Sequence, residues 1–387
     1  MTKTLQQQLK LLVLGGLGLL GIMFSLYYTT TAFYVSYLVV FLYGLSISIG
    51  AAFLLLLMHL TRAGWGVPVK RIPEHFMSFL PLFSLFLIPL LFGLDHLFIW
   101  LNPVEVAGDY LLQKKAPYLN LPFFIIRNAL YCIVFSTVGY YYWRKSLEQD
   151  SNPDAAAKIT ASLQKKSPVA ILFLSLATSF MAFDWIMSLY PHWFSTILGV
   201  NFFAGCMVAA LSCTILGYDI YRLMTKSTTL PSNEHMHELS KLFYGFIIFW
   251  SYVSFSQYFL TWYANIPEFT QWYYPRLTGE WGTIFYVLAI GHFVLPLFGF
   301  MSRHVKRHLV GRLFFSIVIL ALHYLDIRYA VWPNFTTSSH ISWLEILIMI
   351  SFLIILTSLL INKICRYAII PTNDPRLEES KHVENAI

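Results

Sequence analysis

Residues 32–60 read AFYVSYLVVFLYGLSISIGAAFLLLLMHL, an apolar run with no Asp, Glu, Lys or Arg and one late histidine, His59. A bilayer core is crossed by about 20 mostly apolar residues wound into a helix, because lipid offers the backbone no hydrogen-bond partner. This run is long enough to cross. Nine more of the same character lie near 11–28, 76–100, 123–143, 168–190, 193–221, 240–263, 281–302, 309–330 and 341–362. The expected fold class is an all-α integral membrane protein with ten transmembrane helices, numbered here as spans 1 to 10. Span 1 (LLVLGGLGLLGIMFSLYY) is short and Gly-rich like a signal peptide. It lacks a small-residue cleavage site and ends at Tyr27 and Tyr28, so it reads as a retained anchor.

Composition agrees. Of 387 residues, 57% are hydrophobic and 12% charged, about half the charged share of a soluble domain. The mean hydropathy is +0.63. A soluble fold of this size could not cover so much apolar surface, which excludes a soluble enzyme, a disordered chain and a nucleic-acid binder. The net charge of +7 reflects topology rather than a ligand. The ends of the chain and the loops after even-numbered spans carry 21 of the 26 Lys and Arg, against five opposite: Lys114, Lys115, Arg127, Arg276 and Arg328. Positive residues stay inside, so both termini are expected in the cytoplasm. Cys132, Cys206, Cys213 and Cys365 form no CxxC pair. They read as small buried hydrophobes rather than cluster ligands.

The chain repeats itself. GLSISIG (Gly44–Gly50) in span 2 matches GVNFFAG (Gly199–Gly205) in span 6. LDHLFIWLNP (Leu94–Pro103), closing span 3, matches SQYFLTWYANIP (Ser256–Pro267), closing span 7. Asp184 precedes Pro191 by the same interval that separates Asp326 from Pro333. Spans 2–5 and 6–9 are therefore expected as two parallel four-helix bundles, flanked by spans 1 and 10. The divisions follow: anchor 1–31, first bundle 32–192, second bundle 193–335, last helix 336–362 and a polar, solvated cytoplasmic tail 363–387.

Ionisable groups in a membrane are functional candidates by default. In this topology Asp95, His96, Arg127, Asp184 and His192 gather at the outer end of the first bundle, with Gln257, Asp326, Arg328 and Glu345 at the outer end further along. His292 and His323 lie deeper, and His59 and Asp219 near the inner end. Acids and imidazoles together take up and pass on protons, as the oxidation of a quinol hydroxyl requires. Bland alternatives accompany each. Asp95 and Arg127 could form a plain inter-helix ion pair, and Asp219 with Arg222 an i,i+3 salt bridge at the interface. Asp326 and Arg328, two apart, face different ways and should pair across helices. Asp95 and His96, as neighbours, share a site only if the helix ends or kinks there. His292 and His323 are the one candidate pair for a haem, but the His–x13–His pattern of two-haem cytochromes is missing. No haem and no metal are expected on this chain, and no residue is expected to be catalytic on its own.

The stretches AFDWIMSLYPHWFSTILGVNFFAG (Ala182–Gly205) and FSQYFLTWYANIPEFTQWYYPR (Phe255–Arg276) resemble the NrfD/polysulfide-reductase-type membrane subunits, most closely the smaller of the two in bacterial alternative complex III. The resemblance implies a multi-pass subunit of a quinol:electron-acceptor oxidoreductase in the bacterial inner membrane. It implies partners: a larger paralogous membrane subunit, an iron–sulfur subunit and c-type cytochrome subunits that hold the clusters and haem c. This chain would contribute quinone binding, a proton route, or both, without redox cofactors of its own. The resemblance carries over to Asp95, His96 and Asp184. In the second bundle Gln257 and Tyr258 replace the Asp95–His96 pair, which argues against a second titrating site there. Two other readings stand beside it: a structural scaffold in the same complex, and a secondary transporter. Against the transporter, the polar groups sit at the outer end rather than the midplane and no broken helix is evident.

Overall fold

The computed structural model describes residues 13–18, 21–22, 30–226 and 230–382, so span 1 lies mostly outside the described residues. Every regular element among them is helical. Eight helices are long and apolar enough to cross a membrane. They are α1 (Thr31–Leu60), α2 (Arg71–Leu91), α3 (Leu121–Ser151), α4 (Ala156–Trp185), α5 (Leu198–Thr225), α7 (Gly279–Gly299), α8 (Leu309–Val331) and α9 (Trp343–Arg366). Between α5 and α7 lies α6 (Asn233–Ala264), equally long but with a polar first turn and a half. Side chains start these helices as expected of good caps. Thr30 accepts from the Phe33 N–H, Asn120 from Phe123 and Ser342 from Glu345. Left-handed Lys226 and Asn265 end α5 and α6.

Helices α1 and α5 form the centre. Their apolar stretches are 94% and 78% buried, against 50% or less in the other candidate spans. Both are apolar all round, which suits a helix enclosed by others. They cross most closely at Gly50, where a Cβ would stand 1.9 Å from the Cys206 carbonyl oxygen. The last glycine of the first motif thus meets α5 just past the second motif, whereas Gly199 faces Ser179 of α4 and Gly205 faces His323 of α8. Helices α3 and α4 pack together beside α1, α6 and α8 pack beside α5, and α9 lies against α1.

Two helices are interrupted, contrary to expectation. Helix α2 is three short pieces, followed after Gly93 by a single turn, Leu94–Leu97. Pro81 and Pro89 remove backbone donors along this path. Gly93 is required: a Cβ there would sit 2.2 Å from the Tyr34 ring. In α7, residues Ala289–Val294 widen into a π-helix. Pro296 lacks the N–H that would bond the His292 carbonyl, which favours such a widening.

The tail also departs from expectation. Instead of extending into solvent, it folds back on the helix ends that carry Lys70, Asp150 and His235. Lys70 Nζ meets Asp374 Oδ2 at 2.5 Å, Asn373 donates to the Asp150 carbonyl at 2.7 Å, and His235 Nε2 lies 3.0 Å from the Ser380 carbonyl. Burial alone would raise the Asp374 carboxyl, but the Lys70 ammonium overrides it and holds that carboxyl below the usual range. Asp219 pairs not with Arg222 but with Arg312 of α8, through contacts of 2.6 and 2.8 Å. A bidentate fork from a packed neighbour outcompetes the adjacent turn. Arg222 donates instead to Asn233 at 2.7 Å.

Candidate functional site

The outer residues expected to act together in the first half divide into three separate groups. Asp184, at the end of α4, is fully buried and accepts from Arg127 Nε and Nη2 at 2.8 and 2.9 Å and from the Tyr131 hydroxyl at 2.8 Å. The Arg127 guanidinium also donates to the Tyr118 carbonyl at 2.9 Å and lies 3.9 Å from the Tyr118 ring. Nearby, a cavity of about 20 Å³ beside Asn128 and Tyr131 has room for about one water. This is a closed, satisfied ion pair. Asp95 and His96 are elsewhere, exposed on the short turn after α2. His96 stacks on Tyr34 at 5.2 Å and its Nδ1 is 3.3 Å from Thr31 Oγ1, at the start of α1. The third group is His192, in the loop after α4, whose Nε2 is 2.5 Å from Asp109. Burial works against the Asp109 charge, but the hydrogen bonds from His192 and from the Leu112 and Leu111 amides lower its carboxyl pKa.

The second half is built differently. A cavity of about 550 Å³ lies between α5, α6, α7, α8 and the short helix Pro267–Leu277, within the range of about 300–1,000 Å³ usual for small-molecule sites. Its walls are aromatic, including Tyr258, Tyr273, Phe285 and Tyr329. Tyr252 and Phe255 of α6 line it and are exposed, so the cavity has an outward-facing wall. Asp326 is half-buried and lines it, accepting from Trp250 Nε1 at 3.1 Å. No cation lies within ion-pair distance of Asp326 among the described residues. Gln257 also lines the cavity, and its Oε1 is buried without a hydrogen-bond partner.

Behind the cavity wall stands a buried guanidinium that pairs with no carboxylate among the described residues. Arg276 donates to the carbonyls of Trp272 and Ala330 at 2.8 and 2.9 Å and to Asn334 Oδ1 at 3.0 Å, and stacks 3.6 Å from the Trp272 ring. The Arg276 carbonyl in turn accepts from the Tyr329 hydroxyl at 3.0 Å. A lone acid and a lone base therefore flank one aromatic pocket, whereas in the first half the acid and base hold each other.

Polar groups continue inward from Asp326. The Trp250 ring packs 3.8 Å from that of His292, which lies in the π-helical turn and has both ring nitrogens unbonded. His323 of α8 contacts Ser46 Oγ of α1 at 2.8 Å, and Ser46 donates to the Tyr43 carbonyl at 2.7 Å. Glu345 does not join this column. It pairs with Arg328 at 2.9 Å and accepts from the Tyr324 hydroxyl, so Asp326 and Arg328 do find separate partners across helices. The widened turn carries Ala289 and Phe293 into the cavity wall, as π-bulges often do at functional sites.

Sequence reasoning missed Trp250, Tyr258, Tyr273, Tyr329 and Arg276 as site residues. For Tyr258, Tyr273 and Arg276 the signal was present in the stretch Phe255–Arg276, whose tyrosines crowd the segment where the cavity forms, whereas Trp250 and Tyr329 lie outside it. Among the described residues no cluster of His, Cys, Asp and Glu is arranged to hold a metal ion. No protein-family model matches the chain, and no curated protein matches it with significance.

Proposed function

We infer that this chain is a membrane subunit of a quinol-oxidising electron-transfer assembly and that quinol docks in the cavity of its second half. The carrying observation is the aromatic cavity that brings the half-buried Asp326 and the unpartnered Gln257 Oε1 to one wall. A quinone ring fits between tyrosine and phenylalanine faces. Its hydroxyls find acceptors in Gln257 Oε1 and in the Asp326 carboxyl. Oxidation releases two electrons and two protons. The electrons would pass to iron–sulfur or haem c centres carried by partner subunits, and Asp326 takes up the two protons in turn, handing the first on toward His292 before the second arrives. His292 and His323 extend a proton route inward. The Arg127–Asp184 pair fixes the first half, and Asp95, His96 and His192 face the outer surface, where partners dock.

The full reading has ten spans, formed by the eight apolar helices, α6 and the N-terminal stretch, in two parallel bundles with both ends in the cytoplasm of a bacterial inner membrane. Partners would be a larger paralogous membrane subunit, an iron–sulfur subunit and c-type cytochromes.

The test purifies the assembly from its native membranes. It should carry haem c and iron–sulfur partners, and a photoreactive quinone should label residues of the cavity. Asp326→Asn should leave assembly intact and lower quinol oxidation by roughly 100-fold or more, the usual worth of a positioned proton acceptor. Labelling confined to other subunits, with unchanged turnover, rejects the site. The interruptions in α2 and α7 favour a second reading, a secondary transporter. A lone, haem-free protein that moves a solute across vesicles would support that one.

A further inference from the structure

A second large concavity lies on the outside of the molecule, in a groove of about 1090 Å³ between α3 and α4. Its upper walls are apolar, with Ile133, Val169 and Phe173 exposed. Its lower end, toward the short α3–α4 connection, is lined by Lys158, Lys165 and Lys166. Lys158 and Lys165 stand seven residues apart, on one face of the helix. From Lys165 to Phe173 the helix rises about 12 Å, close to the roughly 15 Å of hydrocarbon in one leaflet.

The lysines lack counter-charges. Among the described residues none of the three forms an ion pair with a carboxylate. Glu148, near the connection, is taken by Lys145 at 2.7 Å. Lys166 Nζ rests instead on Tyr141, 2.7 Å from its hydroxyl and 4.6 Å from its ring centroid. Three uncompensated ammonium groups at the foot of an apolar groove match an anionic headgroup with its acyl chain above it.

We propose that this groove binds one anionic phospholipid from the leaflet on the lysine- and arginine-rich side. The phosphate sits among Lys158, Lys165 and Lys166, and one acyl chain runs past Val169 toward Phe173. Basic pockets between transmembrane helices hold anionic lipids in this way. The two-part lining sets the selectivity: a zwitterionic lipid satisfies the wall but not the lysines, and free phosphate satisfies the lysines but not the wall.

Native mass spectrometry of the full chain, purified in detergent and exchanged with equimolar phosphatidylglycerol and phosphatidylcholine, tests this. The protein should retain one phosphatidylglycerol in preference to phosphatidylcholine. Each lysine changed to glutamine should weaken retention about 5-fold, and all three together on the order of 100-fold. Val169→Trp, which fills the wall and leaves the charges, should also expel the lipid, so the site remains testable if the triple variant fails to fold. Equal retention of both lipids, or retention unchanged in the variants, overturns the proposal. So does displacement of the lipid by excess inorganic phosphate alone, or cross-linking in native membranes that fills the groove with a partner's helix.

Discussion

Changing Arg127 to methionine keeps an apolar stem and removes the charge that holds Asp184. Asp184 is fully buried, and two of its three side-chain donors belong to Arg127, at 2.8 and 2.9 Å. Stranding one member of a buried pair costs about 3–5 kcal/mol. The guanidinium also lies 3.9 Å from the Tyr118 ring and 4.4 Å from that of Phe123, and losing those contacts adds about 1 kcal/mol. The expected loss is about 4–6 kcal/mol, a large part of the roughly 5–15 kcal/mol that stabilises a typical fold. Removing both charges, with Arg127→Met and Asp184→Leu together, replaces the stranded carboxylate by a Tyr131 hydroxyl without its acceptor, at about 1–3 kcal/mol, while the Tyr118 carbonyl and the ring contacts lose Arg127 equally in both variants. The double variant should therefore be the more stable one. Reversible unfolding in mixed micelles, followed by tryptophan fluorescence, measures both. If the double variant is no more stable than Arg127→Met, the pair is not what holds α3 to α4. Quinol turnover provides the second readout, since a pair that only fixes the fold leaves the rate of the surviving double variant near that of the parent.

Three further outcomes follow from the packing. Asp374 has its carboxyl held low by Lys70, so its contribution is complete above the usual carboxylate range near pH ~4 and disappears as pH falls through the lower native value. A spin label replacing exposed Glu378 should give broad, immobile spectra at neutral pH and sharpen in acid, or at every pH in Lys70→Met; a spectrum that stays broad in both refutes the clasp. Gly50→Leu forces apart the α1–α5 crossing and should lower thermal stability by several degrees or prevent folding, while Gly245→Ala, with open space around it, should gain up to about 1 kcal/mol. Melting curves that rank the two the other way contradict the crossing. His192→Ala breaks a contact whose side chains remain 35% and 27% exposed, so unfolding measurements should register less than about 1 kcal/mol.

The helices and their approximate limits were legible because a bilayer imposes a length and a composition on every crossing. Nothing in the sequence said that Gly50 would face Cys206. Pairing was harder to read. Arg127 and Asp184 are 57 residues apart, and Asp219 and Arg312 are 93 apart. Which of several buried charges meet depends on helix rotation, and an adjacent candidate such as Arg222 draws attention away from the true partner. The expected cluster in the first half failed to form because α2 breaks at its C-terminal end and carries Asp95 and His96 toward Tyr34. The cavity in the second half was invisible for a related reason. It exists because the side chains around Asp326 leave space, and a linear pattern records what is present more readily than what is left empty.

The returning tail also orders biosynthesis. Residues 373–380 bridge to Lys70 and Asp150 in the first half and to His235 at the head of α6 in the second. They follow every long helix in the chain, so these contacts close only after α9 has left the translocon. Until then the two halves are joined on this side without their latch. A quality-control protease acting at that surface would meet an open face on a chain stalled before residue 373 and a shut one once the tail has docked.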